Sequence, residues 1–171
     1  MAGTADSGSK SVNGQFRSLR LEDQLCFALY SASRAMSARY RPLLKALGLT
    51  YPQFLVMLVL WERDRCTVKE IDQALELDYG TVSPLLKRLE GAGLLRRERR
   101  REDERVVDVV LTEAGEALRD QAADIRAEVA SAPGLSTDEF DALREKVTDL
   151  GTRLAQTGSV PDWPAALPQR D

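Results

Sequence analysis

The chain has 171 residues, 24 basic and 27 acidic, for a formal net charge of −3, and 43% of it is apolar. That suffices for one domain or a compact pair and is too little for a large enzyme. With no histidine and only two cysteines, Cys26 and Cys66, imidazole triads, histidine metal sites, a disulfide scaffold and a zinc site are excluded, and a reducing compartment is expected.

Residues 1–19 are polar and Gly/Ser-rich, without the apolar core of a signal peptide, and are expected to form a disordered tail. The longest apolar run, 54–61, falls well short of the ~20 residues of a membrane span. A cytoplasmic protein with no membrane partner is expected. The first helix is predicted over 21–47, where Leu25, Leu29, Ala32, Met36, Leu43, Leu44 and Leu47 recur near helical period and Gly48 ends it. Thr50 with Gln53 forms a capping box for a second, almost wholly apolar helix reaching Trp61, and Thr67 with Glu70 repeats that spacing for a short third helix to Leu75.

Residues 76–79 read as a tight polar turn, and Asp78 as the N-cap of a fourth helix over 80–92, closed by Gly93. Two short helices joined this way make a helix-turn-helix. Residues 94–99 and 106–111 are β-prone arms around the charged tip 100–105, which predicts a hairpin wing. A fifth helix is predicted from Thr112 to about residue 130, and a sixth, capped by Ser136 and Glu139, to about residue 156. Pro161, Pro164 and Pro168 leave 157–171 as a second disordered tail.

The charge is unevenly spread. Between 77 and 101 seven basic residues (Lys87, Arg88, Arg96, Arg97, Arg99, Arg100 and Arg101) face three acids, a local +4, whereas 112–155 carries −5. A charged hairpin alone is usually a solvated turn. Behind a helix-turn-helix it suits DNA instead, with the second helix in the major groove and a tip arginine in the minor groove. The fold expected is mainly α with a small β wing (α+β): a winged helix-turn-helix of six helices.

At these residues the sequence resembles the MarR superfamily of winged-helix repressors, and within it the organic hydroperoxide sensors called OhrR. The resemblance rests on the stretches 21–30 around Cys26, 40–44, 49–53, Gly80-Thr81, 84–90 and Asp103-Glu104-Arg105, and covers about residues 21–120. It implies a single domain over 20–156, with a DNA-binding winged helix at about 50–112 and a homodimer formed through helices at about 21–47 and 113–156. It further implies that Cys26 is the peroxide-reactive thiol, that Tyr30 lies beside it, and that Tyr40 and Tyr51 reach it from the partner subunit. DNA contacts would come from Tyr79, Thr81, Ser83, Lys87 and Arg88 of the fourth helix and from Arg100, Arg101, Asp103 and Arg105 of the wing. Double-stranded DNA with a pseudo-palindromic operator, an organic hydroperoxide and a low-molecular-weight thiol are the implied partners; no cofactor and no metal is implied. Tyr79, Phe54 and Arg63 depart from the family's commoner serine, tyrosine and histidine.

The chemistry of the residues agrees. Only a thiolate attacks an O–O bond, so a peroxide-reactive Cys26 must reach its charged form. A position in the first turns of a helix and hydrogen bonds from tyrosine hydroxyls both favour that charge. Tyr30, at i+4, shares the cysteine's helix face. The competing reading makes Cys26 a buried small hydrophobe and the tyrosines packing. Cys66, directly before the third helix, reads as structural, which leaves a one-cysteine cycle through sulfenic acid and a mixed disulfide. Three other functions stay open on sequence: a repressor released by a phenolic ligand, a one-cysteine peroxidase, and a winged helix that binds protein.

Overall fold

A computed structural model describes residues 18–100 and 106–157. A 3₁₀ turn, Leu21–Asp23, leads into α1 (Leu25–Ala46), followed by α2 (Tyr51–Arg63), β1 (Arg65–Thr67), α3 (Val68–Leu75), α4 (Tyr79–Gly91), β2 (Leu95–Arg99) and β3 (Val107–Leu111). A one-turn helix α5 (Glu113–Glu116), α6 (Arg119–Ser131) and α7 (Thr137–Gln156) complete the chain. The architecture is the expected winged helix: α3 and α4 form the helix-turn-helix and the sheet forms the wing.

The capping residues stop and start these elements as their chemistry dictates. Thr50–Gln53, Thr67–Glu70 and Ser136–Glu139 form reciprocal capping boxes. Gly48 closes α1 at φ 69°, a left-handed backbone conformation that costs glycine nothing.

Three details correct the sequence reading. The first helix starts later than residue 21, because Gln24 is extended and separates the 3₁₀ turn from α1. The predicted strand pair is a three-stranded antiparallel sheet in the order β1-β3-β2, with Cys66 opposite Val109 and Thr67 opposite Asp108. Three residues are too short for an alternation signal, so β1 is visible only through its partner strand. The predicted fifth helix is interrupted after its first turn, at 117–118, and resumes as α6.

The chain divides into two compact units, with the boundary inside α6 after Arg126. In the first unit the core is built on α2, whose Phe54, Val56, Met57, Leu60 and Trp61 are buried. Leu44, Ile71, Val82, Leu86, Leu89, Leu95 and Val109 are buried with them. Trp61 donates its indole N–H to the Gly115 carbonyl at 3.0 Å, tying α2 to α5. In the second unit α7 carries Phe140, Leu143, Val147, Leu150 and Leu154 at alternating three- and four-residue spacing, with Leu143, Val147 and Leu154 exposed. Among the described residues no single helix is long and apolar enough to cross a membrane.

Candidate nucleic-acid interface and thiol site

Asp78 starts α4. Its Oδ1 accepts the Thr81 N–H at 2.9 Å and its Oδ2 accepts the Thr81 hydroxyl at 2.8 Å. These bonds, the hydroxyl's foremost, hold the Asp78 carboxyl below the usual carboxylate range. The side chain of Thr81 is therefore first of all a capping partner. Buried Val82, Leu85, Leu86 and Leu89 fasten one face of α4 to the core. Thr81, Lys87 and Arg88 are exposed away from that face, Tyr79 is 65% exposed in the first turn, and Ser83 is half-buried. Among the described residues Lys87 and Arg88 make no ion pair, and both remain available to phosphate. Such a helix, apolar behind and cationic in front, has the form needed to enter a major groove.

The wing is braced by ion pairs that sequence reasoning missed. Glu90 of α4 accepts the backbone N–H of Arg97 at 3.1 Å and its guanidinium at 2.5 and 2.8 Å, so α4 and β2 are joined directly. That Arg97 bond is also the main force holding Glu90 below the ordinary carboxylate range. On the other face of the sheet, Asp108 is 2% exposed and accepts from Arg100 at 2.7 and 3.2 Å and from Arg65 at 3.0 Å. Arg65 also reaches Glu98 at 3.2 Å, and Arg96 pairs with Glu98 at 2.5 Å. Arg100, expected at the DNA, is thus first of all a partner of Asp108. A lone acid in the apolar arm 106–111 was the available signal, because a carboxylate buried in a strand needs a cation. Arg101, Asp103 and Arg105 lie outside the described residues.

Cys26 is exposed at the second position of α1, in the turn whose N–H groups have no intrahelical acceptor. Tyr30 follows one turn later. Its hydroxyl accepts from Arg34 at 3.3 Å, and the Arg34 guanidinium lies 5.6 Å from the Tyr30 ring centroid. Tyr40 and Tyr51 come together, with ring centroids 5.0 Å apart, and Phe54 lies 5.5 Å from Tyr40 and 6.4 Å from Tyr51. Burial pushes both phenols above their ordinary pKa, so both keep their protons at neutral pH and can donate. Within one chain this pair is not brought to Cys26: Tyr40 sits fourteen residues further along α1, about 21 Å at helical rise. Cys66 is buried in β1, and burial pushes its thiol up, away from the reactive form.

The family model described as transcriptional regulator SarA/Rot matches residues 38–122. The organic hydroperoxide resistance transcriptional regulator of Bacillus subtilis (strain 168) is 44% identical to this chain over 143 residues, covering 84% of the chain and 95% of the relative. AbfR of Staphylococcus epidermidis, reduced and bound to DNA, is 34% identical, with a TM-score of 0.70 over 80% of this chain and 94% of its own. Its disulfide form gives a TM-score of 0.59 over 84% and 96%. A mutant of MarR from E. coli complexed with operator DNA shares the fold at 24% identity, with a TM-score of 0.65 over 74% of this chain and 92% of its own.

Proposed function

This chain belongs to the MarR family of winged-helix transcriptional regulators, and on that footing we propose that it is a homodimeric repressor released from its operator when an organic hydroperoxide oxidises Cys26. The family consists of DNA-binding regulators, not enzymes, so the thiol acts as a sensor and not as a turnover catalyst. The observation that carries the reading is the contrast between the two cysteines: Cys26 is exposed on α1, Cys66 is sealed in the sheet. The name of the B. subtilis relative supplies the chemical class of the oxidant.

The chemistry balances on one sulfur. The Cys26 thiolate attacks the distal oxygen of the hydroperoxide; the S–O bond forms, the O–O bond breaks, and the departing alkoxide takes a proton from water and leaves as the alcohol. The resulting sulfenic acid condenses with a low-molecular-weight thiol to a mixed disulfide and water, and a second thiol restores Cys26 by exchange. Tyr40 and Tyr51 act on the Cys26 of the other subunit, since the Cys26 of their own chain lies about 21 Å along α1 from Tyr40, against whose ring Tyr51 packs. Exposed Leu21, Leu25 and Phe27 near the start of α1, and exposed Leu143, Val147 and Leu154 on α7, supply apolar surface for the dimer. Lys87, Arg88 and Tyr79 of α4 serve the major groove; Arg101 and Arg105, outside the described residues, are further DNA contacts.

Oxidation must favour a dimer geometry that DNA disfavours. A bulky polar adduct on Cys26 displaces the partner's tyrosines and shifts the two α4 helices from the one-turn spacing, ~34–36 Å, that a two-fold operator demands. The test compares wild type with Cys26→Ser in a gel shift on the DNA upstream of the chain's own gene, before and after cumene hydroperoxide and then with dithiothreitol. Release of wild type alone, reversed by reductant, is expected. A Cys26→Ser protein that also releases DNA on oxidation overturns the sensor assignment, and release by a phenolic compound under reducing conditions replaces it with a ligand-gated repressor.

A further inference from the structure

We propose that Asp108 is a positioning residue for DNA binding, a carboxylate buried in the central strand that fixes the direction of Arg65 and Arg100 and so sets the wing. The inference rests on the DNA-binding part of the reading above and is independent of its redox part.

The register creates the problem this cluster solves. Asp108 stands directly opposite Glu98 on β2 and opposite Thr67 on β1. Two carboxylates facing each other across a strand pair repel, and a carboxylate removed from water needs a cation with well-formed hydrogen bonds. Arg65 bridges the two acids, with one guanidinium nitrogen 3.0 Å from Asp108 and the other 3.2 Å from Glu98. Arg100 closes on Asp108 from the opposite side through two nitrogens, at 2.7 and 3.2 Å. A two-point bond from a planar fork fixes orientation as well as distance. Asp108 of β3 thereby ties β1 to the residue that follows β2 through one buried side chain.

The position matters for function because Arg100 directly follows β2, where the described wing ends. Its own N–H donates to the Val106 carbonyl at 3.0 Å, the last rung among the described residues. Asp108 therefore holds the mouth of the hairpin from the inside. Both arginines nevertheless keep about half of their side-chain surface in solvent. Arg65 can turn its exposed N–H groups to phosphate while it stays on Asp108.

A simple charge role and a positioning role predict opposite results. The cluster holds three arginines, Arg65, Arg96 and Arg100, and two acids, Glu98 and Asp108. If Asp108 only offsets charge, neutralising it adds positive field, and every DNA binds more tightly with a steeper salt dependence. If it positions the wing, specific binding weakens and sequence-independent binding does not.

The experiment uses the full-length protein. Wild type selects a duplex from a random pool, and fluorescence anisotropy then gives the Kd of wild type, Asp108→Asn and Arg65→Lys on that duplex and on a scrambled duplex of equal composition, across a salt series. Asp108→Asn is expected to lose about tenfold on the selected duplex, the size of one well-placed contact, and nothing on the scrambled one. Arg65→Lys keeps the charge and loses the fork; it should lose discrimination in the same direction even if Asp108→Asn fails to fold. Unchanged discrimination in either folded variant, or tighter binding of Asp108→Asn to both duplexes, overturns the proposal. A wild type that selects no sequence defeats the DNA reading itself, whereas normal selection with unaffected variants defeats this inference alone.

Discussion

Replacing Gly115 by alanine should loosen the joint between the wing and the helices that follow it. A Cβ built on Gly115 lies 2.0 Å from the Leu94 carbonyl oxygen and 3.0 Å from its carbon. The shorter contact falls about 1 Å inside any approach that packed side chains tolerate. Leu94 cannot yield cheaply, because its carbonyl accepts the Thr112 N–H at 3.1 Å. Gly115 is pinned as well: Thr112 Oγ1 accepts its N–H at 3.1 Å, and the Trp61 indole donates to its carbonyl at 3.0 Å. Overpacking costs about 1–3 kcal/mol, and a weakened buried hydrogen bond adds about 1 kcal/mol. The sum, about 2–4 kcal/mol, corresponds in a chain of this length to a Tm fall of roughly 5–15 °C. Circular dichroism melts measure it, and Trp61 emission in a Trp163→Phe background reports whether the indole has lost its acceptor. An unchanged Tm and an unshifted emission maximum would mean that the added methyl is accommodated without cost.

Phe54→Ala empties the centre of the aromatic cluster formed with Tyr40, Tyr51 and Trp61, and urea unfolding should show a loss of about 3–5 kcal/mol; a loss below about 1 kcal/mol contradicts that packing. Lys87→Ala should weaken binding to all duplexes alike and flatten the slope of log K against log salt by about 0.9, the mark of one lost phosphate contact. A loss confined to one sequence would make Lys87 a base reader instead. The Asp108 carboxyl is held below the ordinary carboxylate range, chiefly by its bond to Arg100 and then by Arg65. Because the folded pKa is the lower one, the stabilisation is present above the unfolded value of about 3.9 and is lost as pH falls through that range. Urea unfolding between pH 6 and about pH 3 should therefore give a flatter stability profile for Asp108→Asn than for wild type, and parallel profiles would contradict the assignment.

Much of the fold was legible because its signals are local. The capping boxes at Thr50, Thr67 and Ser136 and the Asp78 cap fall where the sequence put them, since a cap is a bond between residues three apart. What escaped is pairwise and distant. β1 exists because Cys66 meets Val109 across the sheet, and nothing in three residues announces that partner. The interruption after α5 coincides with the close approach of Gly115 to Leu94, another contact between distant segments. The same holds at the site. The composition of α4 exposed the cationic face of Lys87 and Arg88, but a count of charges treated Arg97 and Arg100 as equivalent to them. In the structure Arg97 braces α4 through Glu90 and Arg100 braces the wing through Asp108. Tyr40 and Tyr51 are neighbours in space as well as near in sequence, while the role proposed for them at Cys26 needs a second chain.

In the proposed function the state of one sulfur sets the affinity for DNA. The most direct measurement titrates the DNA-bound protein with substoichiometric cumene hydroperoxide, following anisotropy and, in parallel aliquots, the mass of the Cys26 and Cys66 peptides. Release is expected to rise in step with a one-oxygen mass gain, or its thiol adduct, on Cys26 while Cys66 stays reduced. Full oxidation of Cys26 with the DNA still bound, or release with Cys26 unmodified, would contradict it.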